Sequence, residues 1–189
     1  PGVLPYFDLP FQHVSKPVLS RMRRGGGYKE NMTLVEKIRS QIPGAVFRCS
    51  FIAAFPGETE QQFAELLSFI REANIEYVGA FAYSDEEGTA AFDLDAKNEE
   101  PIILERYESL RDLGEEQLER FYQSLHGKKV DFLPLGPWDN NATIGRMALQ
   151  APEIDGLTQI ANPFDDDNWE PETILITGHD CEILTGERQ

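Results

Sequence analysis

Over the first eighty residues, apolar positions alternate between short continuous runs and helically spaced sets. Tyr6-Phe7-Asp8-Leu9-Pro10-Phe11-Gln12-His13 is a short apolar run, and it predicts a buried strand that delivers Gln12 and His13 at its C-terminal end. Ser15 and Pro17 predict the cap and first turn of a short helix, Val18 to Arg24, which Gly25-Gly26-Gly27 ends. Met32, Val35 and Ile38 are helically spaced within a second helix, Lys29 to Gln41. Val46 to Ala54 predicts the next strand. The turn Phe55-Pro56-Gly57-Glu58-Thr59 leads into a helix running to Ala73, with Thr59 and Gln62 spaced as a capping box. Tyr77 to Tyr83 predicts a third strand, followed by the acidic loop Ser84-Asp85-Glu86-Glu87-Gly88-Thr89.

Strand–helix–strand–helix–strand is the order of a parallel α/β sheet or barrel. Three parallel strands do not close a barrel, and the chain opens on Pro1 inside an apolar stretch, so it is expected to belong to something longer. Ala96 to Pro101 reads as a linker. Ile102 to Leu125 predicts one long helix with a weak point at Gly114. The texture then changes. Lys128–Leu135, Thr143–Leu149, Leu157–Ala161, Thr173–Thr177 and Cys181–Leu184 predict five short strands separated by turn residues, the pattern of a small OB-like β-barrel. The expected organisation is therefore an α/β part over residues 1–95, a helical connector over 96–127 and a β-barrel over 128–189.

Composition narrows the partners. The chain of 189 residues has a formal net charge of −16, which argues against non-specific nucleic-acid binding. From Val130 onward twelve acidic residues face only Arg146 and Arg188, so that segment carries a net charge of −10. A solvated acidic surface and a basic partner both fit this. Cys49 and Cys181 lie far apart without metal-type spacing, which fits thiols in a reducing cytoplasm. No apolar run approaches the ~18 residues a membrane span needs.

Few single residues carry chemistry alone. Gln12 and His13 end a strand at the side where parallel sheets bind ligands, though a strand-end histidine also serves structure. Asp85-Glu86-Glu87 reads as an exposed acidic turn before it reads as a set of metal ligands. Arg48 and Ser50 alternate along the second strand and share a face.

The combination is more specific. Tyr6–His13, Met22-Arg23-Arg24, Phe55-Pro56-Gly57-Glu58-Thr59, Tyr83–Thr89 and Ala151-Pro152-Glu153-Ile154-Asp155-Gly156 occur in this order. So arranged, the chain resembles the radical-SAM methylthiotransferase family over nearly its whole length. The first four segments resemble the second half of a radical-SAM partial TIM barrel. The last resembles the TRAM domain, in the form found in the branch that modifies an aspartate of small-subunit ribosomal protein twelve. The tRNA-modifying branch usually reads differently there. An acidic β-barrel suits a basic ribosomal protein better than RNA.

This resemblance implies S-adenosylmethionine (SAM) and two 4Fe–4S clusters in the full-length enzymes, a cytoplasmic transferase, and a methylthio group as the product. Cluster binding needs converging thiolates. Two isolated cysteines do not supply them, so the cluster-bearing region is expected upstream and this chain is expected to be inactive alone. The resemblance places Gln12, His13, Arg23, Arg48, Ser50 and Phe81 around SAM, and Glu153 and Asp155 against the protein substrate. Arg23 or Arg24 would hold a carboxylate, or simply end a helix. One departure is Ala54, where family members usually carry glycine. A tRNA-modifying enzyme and a non-catalytic acidic interaction module remain the alternatives.

Overall fold

The computed structural model describes residues 2–139, 141–163, 170–180 and 183–188. Its elements run β1 (Tyr6–Gln12), α1 (Lys16–Arg21), α2 (Tyr28–Gln41), β2 (Val46–Ala53), α3 (Glu60–Glu72), β3 (Tyr77–Ala82), α4 (Glu100–Leu125), β4 (Lys129–Asp139), β5 (Ala142–Met147), β6 (Leu157–Ile160), β7 (Glu172–Asp180) and β8 (Ile183–Arg188). Contacts divide the chain into two compact units, one of Phe7–Leu118 and one of Pro1–Tyr6 with Glu119–Gln189. The division falls inside α4.

The first unit is an α/β layer built on a three-stranded sheet in the order β1-β2-β3, with β2 and β3 parallel. Period-two alternation gives the sheet two unlike faces. On one, Phe7, Leu9, Phe11, Phe47, Cys49, Phe51, Val78 and Ala80 meet Val35, Leu66, Phe69, Ile70, Leu110 and Leu113. Phe69 lies at the centre of this core, edge-on to Phe11, Tyr28 and Phe51. Truncating such a fully buried ring costs about 3–5 kcal/mol. The capping box at α3 forms as its spacing predicts: Thr59 Oγ1 accepts from the Gln62 N–H at 3.4 Å, and Gln62 Oε1 accepts from the Thr59 N–H at 2.9 Å.

Local departures have physical causes. α1 stops at Arg21, short of Arg24, because Arg23 takes a left-handed φ of 56°. Ser15 stands at the N-cap position but makes no side-chain cap bond; its backbone N–H instead donates to His13 Nδ1 at 2.9 Å. α4 runs unbroken through Gly114, where a Cβ would come 3.1 Å from Val78 Cβ. The missing side chain lets α4 approach β3 closely.

The second unit is a closed five-stranded barrel in the order β4-β5-β6-β8-β7, with β7 returning to pair with β4. This agrees with the OB-like expectation. Only β6 and β8 run parallel; the other pairs are antiparallel. Phe132, Met147, Ile160, Ile174, Ile176 and Leu184 fill the interior. β4 continues past Leu135 to Asp139 because bulges between Pro134 and Gly136, and between Pro137 and Asp139, absorb prolines that cannot donate to a regular ladder. β8 extends to Arg188; Cys181, where the last strand was expected to begin, lies outside the described residues. At Gly145 the neighbouring strand leaves no room for a side chain. A Cβ there would lie 2.3 Å from the Leu133 carbonyl oxygen and 2.4 Å from the Phe132 ring.

Among the described residues no helix is long and apolar enough to cross a membrane.

Candidate cofactor-binding face

The second face of the α/β sheet is open, and strand alternation decides what it displays. β2 turns Phe47, Cys49, Phe51 and Ala53 to the core, so Arg48, Ser50 and Ile52 point the other way. The β2–β3 register sets Ser50 beside Gly79 and Ile52 beside Phe81. Gln12 ends β1 with a left-handed φ of 66°.

A cavity of about 480 Å³ opens over this face, lined by Gln12, Ser50, Ile52, Phe55, Phe81, Tyr83, Glu86 and their neighbours. It pairs a hydroxyl, an amide and a carboxylate with aromatic and aliphatic walls, the mixed lining of a small-molecule site. Phe81 is 52% exposed, a large apolar surface on the cavity wall. A Cβ on Gly79 would come 3.1 Å from Ser50 Oγ and 3.4 Å from the Phe81 ring. The glycine thus keeps open the floor between two lining residues. A molecule combining a flat aromatic base with polar groups fits this lining.

Of the residues expected around SAM, the structure brings Gln12, Ser50 and Phe81 together here. The others stand apart from the cavity lining. Arg48 shares the Ser50 face, and its Nη1 lies 3.7 Å from Asp8 Oδ2. Arg23 is exposed and left-handed. His13 is 0% exposed: Nδ1 accepts from Ser15, and Nε2 lies 3.2 Å from Glu58 Oε2. The Ser15 bond fixes the proton of the neutral ring on Nε2.

Sequence reasoning missed what holds the cavity rim. Glu58 enters the sequence reading only as part of the Phe55–Thr59 turn. Its buried carboxylate accepts from the Ala54 N–H at 3.2 and 3.1 Å and from Arg106 Nη1 at 2.8 Å. Ala54 has a φ of 61°, so the position where the resemblance leads one to expect glycine does adopt the left-handed conformation. Arg21 fastens the turn. Its Nε donates to the Pro56 carbonyl at 2.8 Å and its Nη2 to Asp95 Oδ1 at 2.6 Å. Asn98 Nδ2 adds bonds to the carbonyls of Ala54 and Phe55. The Phe-Pro-Gly-Glu spacing was a visible signal for Glu58. Nothing in the sequence marked Arg106.

The acidic turn after β3 is tied to itself. Tyr83 Oη donates to Asp85 Oδ1 at 2.8 Å, Ser84 Oγ to Glu86 Oε1 at 2.8 Å, and Lys97 Nζ pairs with Asp85. Desolvation, helped by the Asp85 bond, pushes the Tyr83 phenol up to about 12; the Lys97 and Tyr83 bonds hold the Asp85 carboxyl below its ordinary value. Among the described residues no three His, Cys, Asp or Glu side chains are placed to hold a metal. Burial pushes the Cys49 thiol upward, away from the thiolate that iron ligation requires. The described residues do not fit a cluster site.

In the barrel unit the turn over 151–156 separates its two acids. Glu153 is exposed, with a φ of 65°. Asp155 is 5% exposed, and its Oδ2 accepts from the Ala151 N–H at 2.9 Å and from the Tyr6 hydroxyl. Its carbonyl accepts from Tyr122 Oη at 3.1 Å and from Gln150 Nε2 at 3.4 Å. The expectation that both acids face a partner therefore meets a structure in which the Asp155 carboxylate is turned inward as the clasp of the loop.

No protein-family model matches the chain. Curated relatives do. It is 41% identical over 166 residues to a protein of Kineococcus radiotolerans, 36% over 190 residues to one of Koribacter versatilis, and 43% over 158 residues to one of Burkholderia vietnamiensis. These matches cover 86%, 97% and 84% of the chain, and each relative is named ribosomal protein uS12 methylthiotransferase RimO. The chain belongs to the RimO family. It spans about a third of the length of these relatives: 34%, 38% and 35%. The resemblance carried by the five ordered segments thus leads to the RimO family.

Proposed function

We propose that this chain is part of a methylthiotransferase that acts on ribosomal protein uS12. The observation that carries the reading is its 36–43% identity, over most of its length, to relatives bearing that name. On this reading the three-stranded sheet is the later wall of a radical-SAM barrel, and the closed barrel is a TRAM-like substrate module. Gln12, Ser50 and Phe81 hold SAM on the open face, with Phe81 against the base and the Ser50 hydroxyl and Gln12 amide on polar groups. SAM supplies the radical precursor when bound. The residues of this chain orient it and exclude water from one side. Any iron–sulfur cluster is held by residues other than those described here, and the chain alone neither holds iron nor cleaves SAM.

The acidic barrel supports a protein partner. A surface of this sign repels RNA phosphates and steers a basic ribosomal protein toward encounter. The exposure of Glu153 on its turn supports a role for it in that encounter.

A chimera tests this reading. The matching segment of the Kineococcus enzyme is replaced by this chain, and uS12 and tRNA from cells carrying it are examined by mass spectrometry. Methylthiolated uS12 with unmodified tRNA is the expected result. A modified tRNA, or a folded chimera that modifies neither, contradicts the proposal.

A further inference from the structure

Three charged or polar side chains are buried together behind the cavity, and none of them lines it. His13, Glu58 and Arg106 have relative exposures of 0%, 4% and 6%. Glu58 sits between the other two, 3.2 Å from His13 Nε2 and 2.8 Å from Arg106 Nη1. Arg106 Nη1 also donates to the Glu58 carbonyl at 3.1 Å, and its guanidinium lies 5.5 Å from the centre of the Phe63 ring. Buried charges of this kind are weak evidence for stability and hold one geometry only while every partner is present.

What they hold is informative. The Glu58 carboxylate receives the Ala54 N–H with both oxygens, and Ala54 is in the left-handed conformation. The next residue, Phe55, lines the cavity. His13 follows Gln12, which is also left-handed and lines the cavity. Two uncommon backbone conformations, each one bond from the network, therefore set two walls of one cavity. Such conformations persist where the surroundings over-determine them.

We infer that His13, Glu58 and Arg106 are positioning residues that lock Gln12 and Phe55 into the geometry by which the cavity recognises its ligand. The inference rests on the reading of this cavity as a SAM site only for its affinity arm. The network acts through backbone: Arg106 fixes the Glu58 carboxylate, Glu58 fixes the Ala54 N–H and stands 3.2 Å from His13 Nε2, the Ser15 N–H holds the His13 ring at Nδ1, and these fix the residues beside them.

The test compares Glu58→Gln and Arg106→Lys with Leu66→Ala, a core truncation on α3 outside the network. Backbone amide resonances of the full chain are recorded, and SAM affinity is measured by calorimetry. Glu58→Gln and Arg106→Lys should shift the Gln12 and Phe55 amides and weaken SAM binding by about tenfold, the effect of roughly one lost contact. Leu66→Ala should leave both readouts at wild-type values despite its lower melting temperature. If Glu58→Gln fails to fold, Arg106→Lys carries the comparison. Unmoved Gln12 and Phe55 amides in the network variants overturn the inference, as do equal shifts in Leu66→Ala. A wild-type chain that binds no SAM overturns the cofactor reading instead, and the amide shifts still decide the network.

Discussion

Asp155→Ala removes the acceptor that closes the turn over 151–156. The Asp155 carboxylate takes a hydrogen bond from the Ala151 N–H at 2.9 Å and one from the Tyr6 hydroxyl, and the residue is 5% exposed. Bonds to a charged acceptor contribute about 1.5–3 kcal/mol each. Tyr6 is only half-buried, so water replaces part of what its hydroxyl loses, and the lower figure applies to both bonds. The expected loss is about 3 kcal/mol. With a urea slope of about 2 kcal/mol/M, the midpoint of the barrel transition falls by about 1.5 M. Tyr6→Phe alone should cost about 1.5 kcal/mol, and should cost little once Asp155 is alanine, because the two share one bond. Urea titration followed by near-ultraviolet circular dichroism reads all four members of the cycle. An Asp155→Ala midpoint within about 0.3 M of wild type refutes the clasp. So does a Tyr6→Phe effect that adds in full to Asp155→Ala.

Further expectations follow from particular side chains. Glu153→Ala, at an exposed position, should leave the unfolding free energy within about 0.5 kcal/mol of wild type while weakening uS12 binding; a large stability loss with intact affinity contradicts the division between the two acids. Burial, outweighing the Phe47 N–H and Arg39, raises the Glu76 carboxyl above 4.5. The unfolded chain therefore releases that proton first, and stability from this group falls as pH rises from 4.5 through the raised folded value. Glu76→Gln should remove this component, so its urea midpoint should improve relative to wild type between about pH 4 and pH 7; a constant difference refutes the assignment. Gly145→Ala drives a methyl group into the Leu133 carbonyl and the Phe132 ring, and should destabilise the barrel by about 3 kcal/mol in the same titration. A neutral result would mean that β4 and β5 can part.

Most of the architecture was legible because it rests on local rules. Short continuous apolar runs located β2 and β3, helical spacing located α2 and α3, and the Thr59–Gln62 pair fixed the start of α3. The alternation that set Arg48 and Ser50 on one face was also readable. Side-chain partners set by tertiary packing were not. His13 looked like a strand-end ligand, but its ring faces Glu58, 45 positions away, which is held in turn by Arg106, 93 positions from His13, and no pattern along the chain reports such a meeting. Asp155 looked like part of an acidic surface; its inward turn depends on Tyr6, which is distant in sequence. β4 outran its expected end because prolines argue against a strand until bulges place them where no donor is needed.

The measurement closest to the central claim is a salt titration of binding to purified uS12, with bulk tRNA as the parallel ligand. The chain should bind uS12, lose affinity as ionic strength rises, and ignore tRNA throughout. Binding to tRNA with a steep salt slope, or no binding to uS12 at low salt, contradicts the assignment of this acidic chain to a ribosomal-protein substrate.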